Sequence, residues 1–244
     1  MTGYGQFCSI ARTLDLLGGR WTLLIVRELL CGSCRFNDIR RGIPRISKSV
    51  LSERLQDLLH IGAIARVDGD HGPEYVLTES GRELSLLLGN LAGWGQKWLP
   101  RRSEKEDLDL DPVLVDMHRR VRMDALPSQP LVIRFDVQGR RLPRFMLLRR
   151  EEISLCAQNP GFPEPLRVRT ELSVLAGWWR GDFSFLEAQR RGLVVEGPKG
   201  LARTFPNLFE RYQFADIGPA RRNRKTSTTS RRKRDGALAR ASVR

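Results

Sequence analysis

Along the first hundred residues, apolar side chains recur at intervals of three and four, the spacing that gathers them on one face of an α-helix. Ile10, Leu14 and Leu17 trace such a face over 8–17, and Gly18-Gly19 ends it. A second helix is predicted from 21 to about 31. Trp21, Leu24, Ile25 and Leu29 share one side of it, while Leu23, Val26 and Leu30 carry the apolar surface almost all round, so it belongs inside a core. A short third helix over 36–41 is stopped by Gly42 and Pro44. Ser47 then has the chemistry of an N-cap for a helix running to about His60. Leu51, Leu55 and Leu58 fall on one side of that helix. Ser49, Ser52, Glu53 and Gln56 occupy much of the other, with Lys48 and Arg54 on the flanks, and Gly62 closes it.

Two short extended runs, 63–67 and 74–77, flank the turn-rich segment Asp68-Gly69-Asp70-His71-Gly72-Pro73 and predict a hairpin. Thr78 is placed to cap a further helix in which Leu84, Leu91 and Trp98 fall seven apart, with Leu87, Leu88 and Trp94 between them. That stripe is too apolar for a solvated helix and predicts a packing partner. Three helices closed by a two-stranded wing make the winged helix-turn-helix layout, a mainly α domain. Its groove-reading element here is the helix that begins at Ser47, and a major groove about 12 Å wide admits such a helix.

The second half changes period. A polar stretch, 101–109, reads as a linker, and an amphipathic helix is predicted over 108–126, with Val113, Met117, Val121 and Leu126 among its apolar positions. Leu131, Ile133, Phe135 and Val137 then alternate, 145–148 and 153–157 follow, and Leu166, Val168 and Thr170 make a fourth strand after Asn159-Pro160-Gly161. Helices over 171–179 and 184–190, a strand over 193–196 and a last helix over 199–209 complete an α+β domain, expected to hold antiparallel strands with helices on one side. From Pro219 onward Arg-Arg and Arg-Arg-Lys-Arg clusters sit amid Thr and Ser with almost nothing to bury, the composition of a disordered basic tail. The chain therefore divides into a head (1–100), a linker (101–109), an α+β domain (110–218) and a tail (219–244).

Charge sharpens this division. The 244 residues carry 42 Lys and Arg against 28 Asp and Glu, a net charge of +14, which makes a polyanion a natural partner without specifying one. Residues 221–244 contribute +9, residues 1–105 contribute +4 and residues 106–218 contribute +1, so the three segments suit different tasks. Apolar runs fall far short of the ~18 residues of a membrane span, and the N-terminus lacks the basic-then-apolar order of a secretion signal. A cytoplasmic protein without a membrane partner is expected, and its four cysteines (Cys8, Cys31, Cys34 and Cys156) should be reduced. Cys31-Gly-Ser-Cys34 has the spacing of a zinc half-site or redox pair. A structural zinc needs four ligands, and His60, His71 and His118 supply no second close pair, so no metal is expected. The chain has no H-E-x-x-H, no G-x-S-x-G, no phosphate-binding G-x-x-x-x-G-K-[ST] and no G-x-G-x-x-G after a strand. A non-enzyme without a cofactor follows.

Several of these segments carry a family likeness. Cys8, Leu14-Asp15-Leu16-Leu17-Gly18-Gly19-Arg20-Trp21, Arg35-Phe36, Ile46-Ser47, Leu51-Ser52-Glu53-Arg54-Leu55 and Tyr75-Val76-Leu77-Thr78-Glu79-Ser80-Gly81 together resemble the HxlR family of bacterial regulators. The resemblance covers about residues 5–98, with Arg20 where the family pattern usually has Lys. It implies a transcriptional regulator, read here as a repressor, that forms a homodimer through the first and last helices of the head. It also implies binding to a roughly palindromic operator in double-stranded promoter DNA. On that reading Ser47, Lys48, Ser49, Ser52, Arg54 and Gln56 are candidates for base or phosphate contact from the groove helix. Arg35 is a candidate phosphate ligand, and Arg66 and His71 in the wing reach the minor groove or flanking backbone. The plainer alternative leaves these residues as a solvated face, with Arg54 paired to Asp57 or Asp38. Glu53 would repel phosphate and, if used, accepts from a cytosine amino group. Leu14, Leu84, Leu87, Leu88, Leu91, Trp94 and Trp98 are the candidate dimer seam. Cys8 matches a position where some relatives sense oxidants; otherwise it is a small residue packing a helix.

The stretch 172–209 resembles the end of a sterol-carrier-protein-like domain, through Leu175-Ala176-Gly177, Trp179-Arg180-Gly181, Ala188, Gly192-Leu193-Val194-Val195-Glu196-Gly197 and Leu201-Ala202. Domains of that kind resemble a cupped sheet around an apolar tunnel for lipid-like molecules. Trp178, Trp179, Phe183, Phe185 and Phe205 either line such a tunnel or fill an ordinary core. A small apolar ligand there would act on DNA binding only if its affinity differs between two states of the regulator. The alternative function is an apolar-ligand carrier whose helical head mediates interaction.

Overall fold

The computed structural model describes residues 3–70, 72–100 and 108–218; the basic tail, His71 and most of the expected linker lie outside them. In the head, caps and glycines cut the chain as the pattern predicts. Helices α1 (Ser9–Leu17), α2 (Thr22–Leu30), α3 (Phe36–Gly42) and α4 (Lys48–His60) precede a hairpin of β1 (Ile64–Gly69) and β2 (Gly72–Leu77), and α5 (Glu79–Trp98) follows. Ser47 Oγ accepts the Val50 N–H at 3.2 Å and Thr78 Oγ1 accepts the Gly81 N–H at 3.3 Å. Each cap satisfies a donor that the first helical turn leaves without a partner. The hairpin pairs antiparallel from Ile64 with Leu77 to Gly69 with Gly72. Its second strand is tied back to the loop after α2, where the Tyr75 N–H donates to the Cys34 carbonyl at 2.7 Å. Ile25, Val26, Ile39, Leu51, Leu55, Leu58 and Ile64 form the buried centre.

The second half opens with α6 (Leu110–Arg119) and holds five strands: β3 (Leu131–Val137), β4 (Arg144–Leu148), β5 (Ile153–Cys156), β6 (Leu166–Thr170) and β7 (Val194–Glu196). Helices α7 (Leu172–Arg180), α8 (Phe185–Arg190) and α9 (Lys199–Thr204) complete it. The spatial order is β5-β4-β3-β6-β7. The expected antiparallel sheet is in fact mixed, because β6 lies parallel to β3, with Ile133 beside Leu166. Alternation locates strands but not their neighbours. The better signal was β3 itself, whose Leu131, Val132 and Ile133 are all buried, which requires a central strand covered on both faces. Leu131, Ile133, Phe135, Met146, Leu166 and Val168 pack under α6 and α7, while Val132, Phe145 and Leu147 are covered on the other face by Phe162.

Two predicted helices are shorter than expected. The one read over 108–126 stops at Arg119, because the next residues pair with the far end of the domain instead. Val121 bridges to Phe209, the Arg122 N–H donates to the Leu208 carbonyl at 2.8 Å and the Glu210 N–H donates to the Arg120 carbonyl at 2.6 Å. The helix read over 199–209 gives way after Thr204 to a 3-10 turn, Phe205–Leu208, containing Pro206, which has no N–H to continue an α-helix.

The halves meet at a buried carboxylate. Glu28 on α2 is 1% exposed. Its Oε1 accepts from Arg27 at 2.6 Å, and its Oε2 accepts from Arg119 on α6 at 2.6 Å. The same Arg119 nitrogen donates to Ser33 Oγ at 2.9 Å. Gly42, which closes α3, is the only kind of residue this arrangement admits, since a Cβ there would fall 1.8 Å from Glu28 Oε2. Burial pulls the Arg119 guanidinium down, but the bond and charge of Glu28 more than offset it and leave it above its ordinary value. A second strap joins Arg45, between α3 and α4, to Asp109 at 2.6 Å. Asp109, the last residue of the stretch read as a linker, stands at the N-cap of α6.

Removing one partner of a buried pair leaves an uncompensated charge, at a cost of about 3–5 kcal/mol. Arg119→Met is expected to lose stability in that range by urea unfolding, and Glu28→Gln/Arg119→Met less. A loss below about 1 kcal/mol in the single variant would show that the pair does not hold the halves together.

Candidate nucleic-acid interface

Helix α4 buries Leu51, Leu55 and Leu58 and turns Lys48, Ser49, Ser52, Glu53 and Gln56 outward. A 100° step per residue puts these five on one continuous stripe. The stripe is polar and, among the described residues, Lys48, Ser52 and Gln56 make no hydrogen bond or ion pair, so their side chains are available to an outside partner. Ser49 meets Ser47 Oγ at 3.1 Å, and Ser47 is already engaged as the cap.

Arg54 stands apart from the rest of the candidate set. Its side chain is only 14% exposed and its Nη1 bonds Asp57 at 2.5 Å and Glu53 at 3.1 Å. The guanidinium lies against Gly19, where an added Cβ would come within 3.2 Å of Nε. The expectation of a free DNA contact there gives way to the plainer one, pairing with Asp57. The position lies on the flank facing the turn between α1 and α2. Arg35 is likewise engaged, its Nε 3.0 Å from Glu74 Oε1 on the wing. Arg66 on β1 is exposed and unpaired among the described residues, and His71 lies outside them.

The predicted seam also divides. Leu84 and Leu88 pack against the head's own core. Leu87, Leu91, Trp94 and Trp98 remain exposed, at 45%, 51%, 56% and 46%, as does Leu14 at 45%. On the opposite side, α5 touches the second half, where Gln96 Nε2 donates to the Arg180 carbonyl at 2.9 Å.

In the second half four of the five aromatic candidates, Trp178, Trp179, Phe185 and Phe205, pack against one another, and Phe183 packs on the same core cluster. Trp178 contacts Phe185 at 5.2 Å and Phe205 at 5.6 Å between ring centroids, and Phe205 is fully buried. Trp179 Nε1 donates to Asp116 at 2.7 Å, and Phe183 carries Arg191 over its ring at 4.3 Å. Two clefts of about 510 and 390 Å³ lie elsewhere, one beside Arg140 and Glu171, the other between Leu29 and Tyr75.

The four thiols are free. Backbone N–H groups of Ala11 and Ile10 at the start of α1 hold Cys8 below the usual thiol range, whereas burial pushes Cys31 and Cys34 up. Among the described residues no cluster of His, Cys, Asp and Glu could hold a metal, and no helix is long and apolar enough to cross a membrane.

Sequence reasoning passed over Glu28, Arg45 and Asp109. For Glu28 a signal existed: a carboxylate on a helix apolar all round must find a buried partner. The Arg45–Asp109 strap left none, because its two residues are far apart in the chain.

Head, wing and exposed α4 stripe define a winged helix-turn-helix protein. The HxlR-like helix-turn-helix family matches residues 16–103. The HTH-type transcriptional regulator YvaP of Bacillus subtilis is 40% identical over 91 residues, covering 36% of this chain and 84% of that protein. An HTH-type transcriptional regulator of Mycobacterium tuberculosis is 45% identical over 98 residues, which are 38% of this chain and 60% of the relative. The match thus spans less than two thirds of the mycobacterial relative's length. The solved reduced form of the B. subtilis transcriptional regulator YodB is 30% identical, with 40% of this chain and 99% of that one covered and a TM-score of 0.35. The chain belongs to the HxlR-like helix-turn-helix family.

Two contrasts follow from the geometry. Arg54→Ala is expected to lower the thermal midpoint by loosening α4 from the Gly19 turn, and Lys48→Ala to leave it unchanged; equal midpoints would contradict the clamp. With its thiolate favoured at lower pH, Cys8 should react with iodoacetamide at pH 7 faster than Cys31 or Cys34 in the folded protein. Equal rates, read by peptide mass, would show that the first turn of α1 does not stabilise the thiolate.

Proposed function

We propose that this protein is a homodimeric, sequence-specific regulator of transcription, acting as a repressor in the cytoplasm on double-stranded promoter DNA. The observation that carries this reading is the α4 stripe, polar and exposed, with Lys48, Ser52 and Gln56 unpartnered among the described residues and three buried leucines behind them on a capped helix. Lys48 supplies a phosphate contact, and Ser49, Ser52 and Gln56 supply groups of the size and polarity that read base edges. Arg66 extends the contact from the wing. That YvaP and the mycobacterial relative are described as transcriptional regulators supports the same reading. Dimerisation rests on the exposed ridge Leu87, Leu91, Trp94 and Trp98, with Leu14 contributing from α1. Apolar surface so continuous on one helix calls for a partner, and a second copy provides a twofold match to a palindromic site.

An apolar effector or a sterol-carrier-like role for the second half has less support, since four of the five aromatics expected to line a tunnel pack on one another and Phe183 packs on the same core. Cys8 is the thiol best placed to respond to oxidants if the regulator has a redox input.

A gel shift on the DNA upstream of its own gene, with excess competitor, tests the reading. Retained binding supports a regulator; association that competitor or moderate salt abolishes overturns it in favour of a carrier with an interaction head. Leu91→Glu should reduce the native mass from two chains to one by placing a charge in an apolar seam; an unchanged mass would refute that seam.

A further inference from the structure

The second half brings a basic turn to the foot of the groove helix. Asp109, the N-cap position of α6, lies between two arginines from different halves: Arg45, two residues before the α4 cap, at 2.6 Å, and Arg140, in the turn joining β3 to β4, at 4.0 Å. The same turn is held a second time, where Arg144 at the start of β4 bonds Asp111 of α6 at 3.0 Å. α6 in turn packs on α3 and is fixed to the buried Glu28 through Arg119. The β3–β4 turn is therefore a rigid neighbour of the α3–α4 corner.

The charge there is one-sided. Arg40, Arg41, Arg45 and Lys48 on the head side and Arg140, Arg141 and Arg144 on the other outnumber the described carboxylates placed beside them, Asp38, Asp109, Asp111 and Glu171. Arg141 is exposed and has no ion pair among the described residues, as is true of Lys48. Asp109 is neutralised from both sides, so it braces the two arginines instead of repelling an anion.

We propose that this turn is a second DNA-contacting element, in which Arg141, with Arg140 beside it, grips the phosphate backbone just outside the segment read by α4. The proposal rests on the DNA-binding reading above and adds to it that the second half lengthens the footprint without reading sequence. The occupant follows from charge complementarity: a strip of fixed cations continuous with the α4 end suits a continuous polyanion, and guanidinium groups bond phosphate oxygens well.

The test uses the full chain and a duplex selected by it from a random library, prepared with ten-base-pair flanks and also trimmed of them. Expected for Arg141→Ala and Arg140→Ala/Arg141→Ala are the same selected sequence and unchanged central hydroxyl-radical protection. Flanking protection should be lost, and the slope of log affinity against log salt should flatten by about one per arginine removed. Trimming the flanks should weaken the wild type and leave the double variant unaffected. Arg141→Lys should retain most of the slope. Equal flank protection and equal slope in wild type and double variant, with Lys48→Ala still flattening its own slope, would overturn this inference alone. A wild type that selects no duplex would overturn the DNA-binding reading, and this inference with it.

Discussion

A carboxylate taken out of water fixes the relation of the two halves. Glu28 sits among the buried residues Ile25, Val26 and Leu29 of α2, and a charge so placed is tolerated only with close, well-aligned cations. Arg27 supplies one from the same helix, and Arg119 supplies the other from the second half. The head therefore completes its own electrostatics with a residue more than ninety positions downstream. Gly42 records the same constraint from the other direction, because the carboxylate fills the space a side chain would need. With α3 pinned at its end and Arg45 strapped to Asp109, the corner leading into α4 is held on both sides.

That rigidity matters because the surface it presents is modest. The α4 stripe offers one lysine, one free hydroxyl, one free amide, a glutamate paired with Arg54 and a serine engaged with its cap neighbour, while Arg54 itself is turned aside to brace the helix. Such a face discriminates by placement more than by charge. On the proposed reading a second copy adds affinity, and the exposed ridge on α5 faces away from the side that touches the second half. The ridge and the α4 stripe are both displayed by one rigid head.

Much of the head was legible because local signals agreed with one another. Helical spacing, caps at Ser47 and Thr78, and a glycine-rich hairpin all named the same elements, and boundaries moved by only a residue or two. The second half was read less well where the outcome depended on distant partners. The parallel pairing of β6 with β3 and the early end of α6 are set by where Val121 and Leu166 find neighbours, and alternation along one strand carries no such information. Side-chain roles were the least legible. The i,i+3 spacing to Asp57 left pairing open for Arg54, but nothing local showed its seat against Gly19 or that Lys48, which also flanks the apolar stripe, stays open to solvent. The aromatic cluster likewise reads the same in sequence whether it surrounds a ligand or fills its own volume.

The central claim is that the outward stripe of α4 meets DNA bases, and photocrosslinking tests it most directly. Gln56→benzoylphenylalanine in the full chain, irradiated on a selected duplex, should yield an adduct to bases within the protected segment, and the same replacement at exposed Arg150 should yield none. An adduct at position 150 with none at 56 would place the nucleic acid on a different surface and contradict the account.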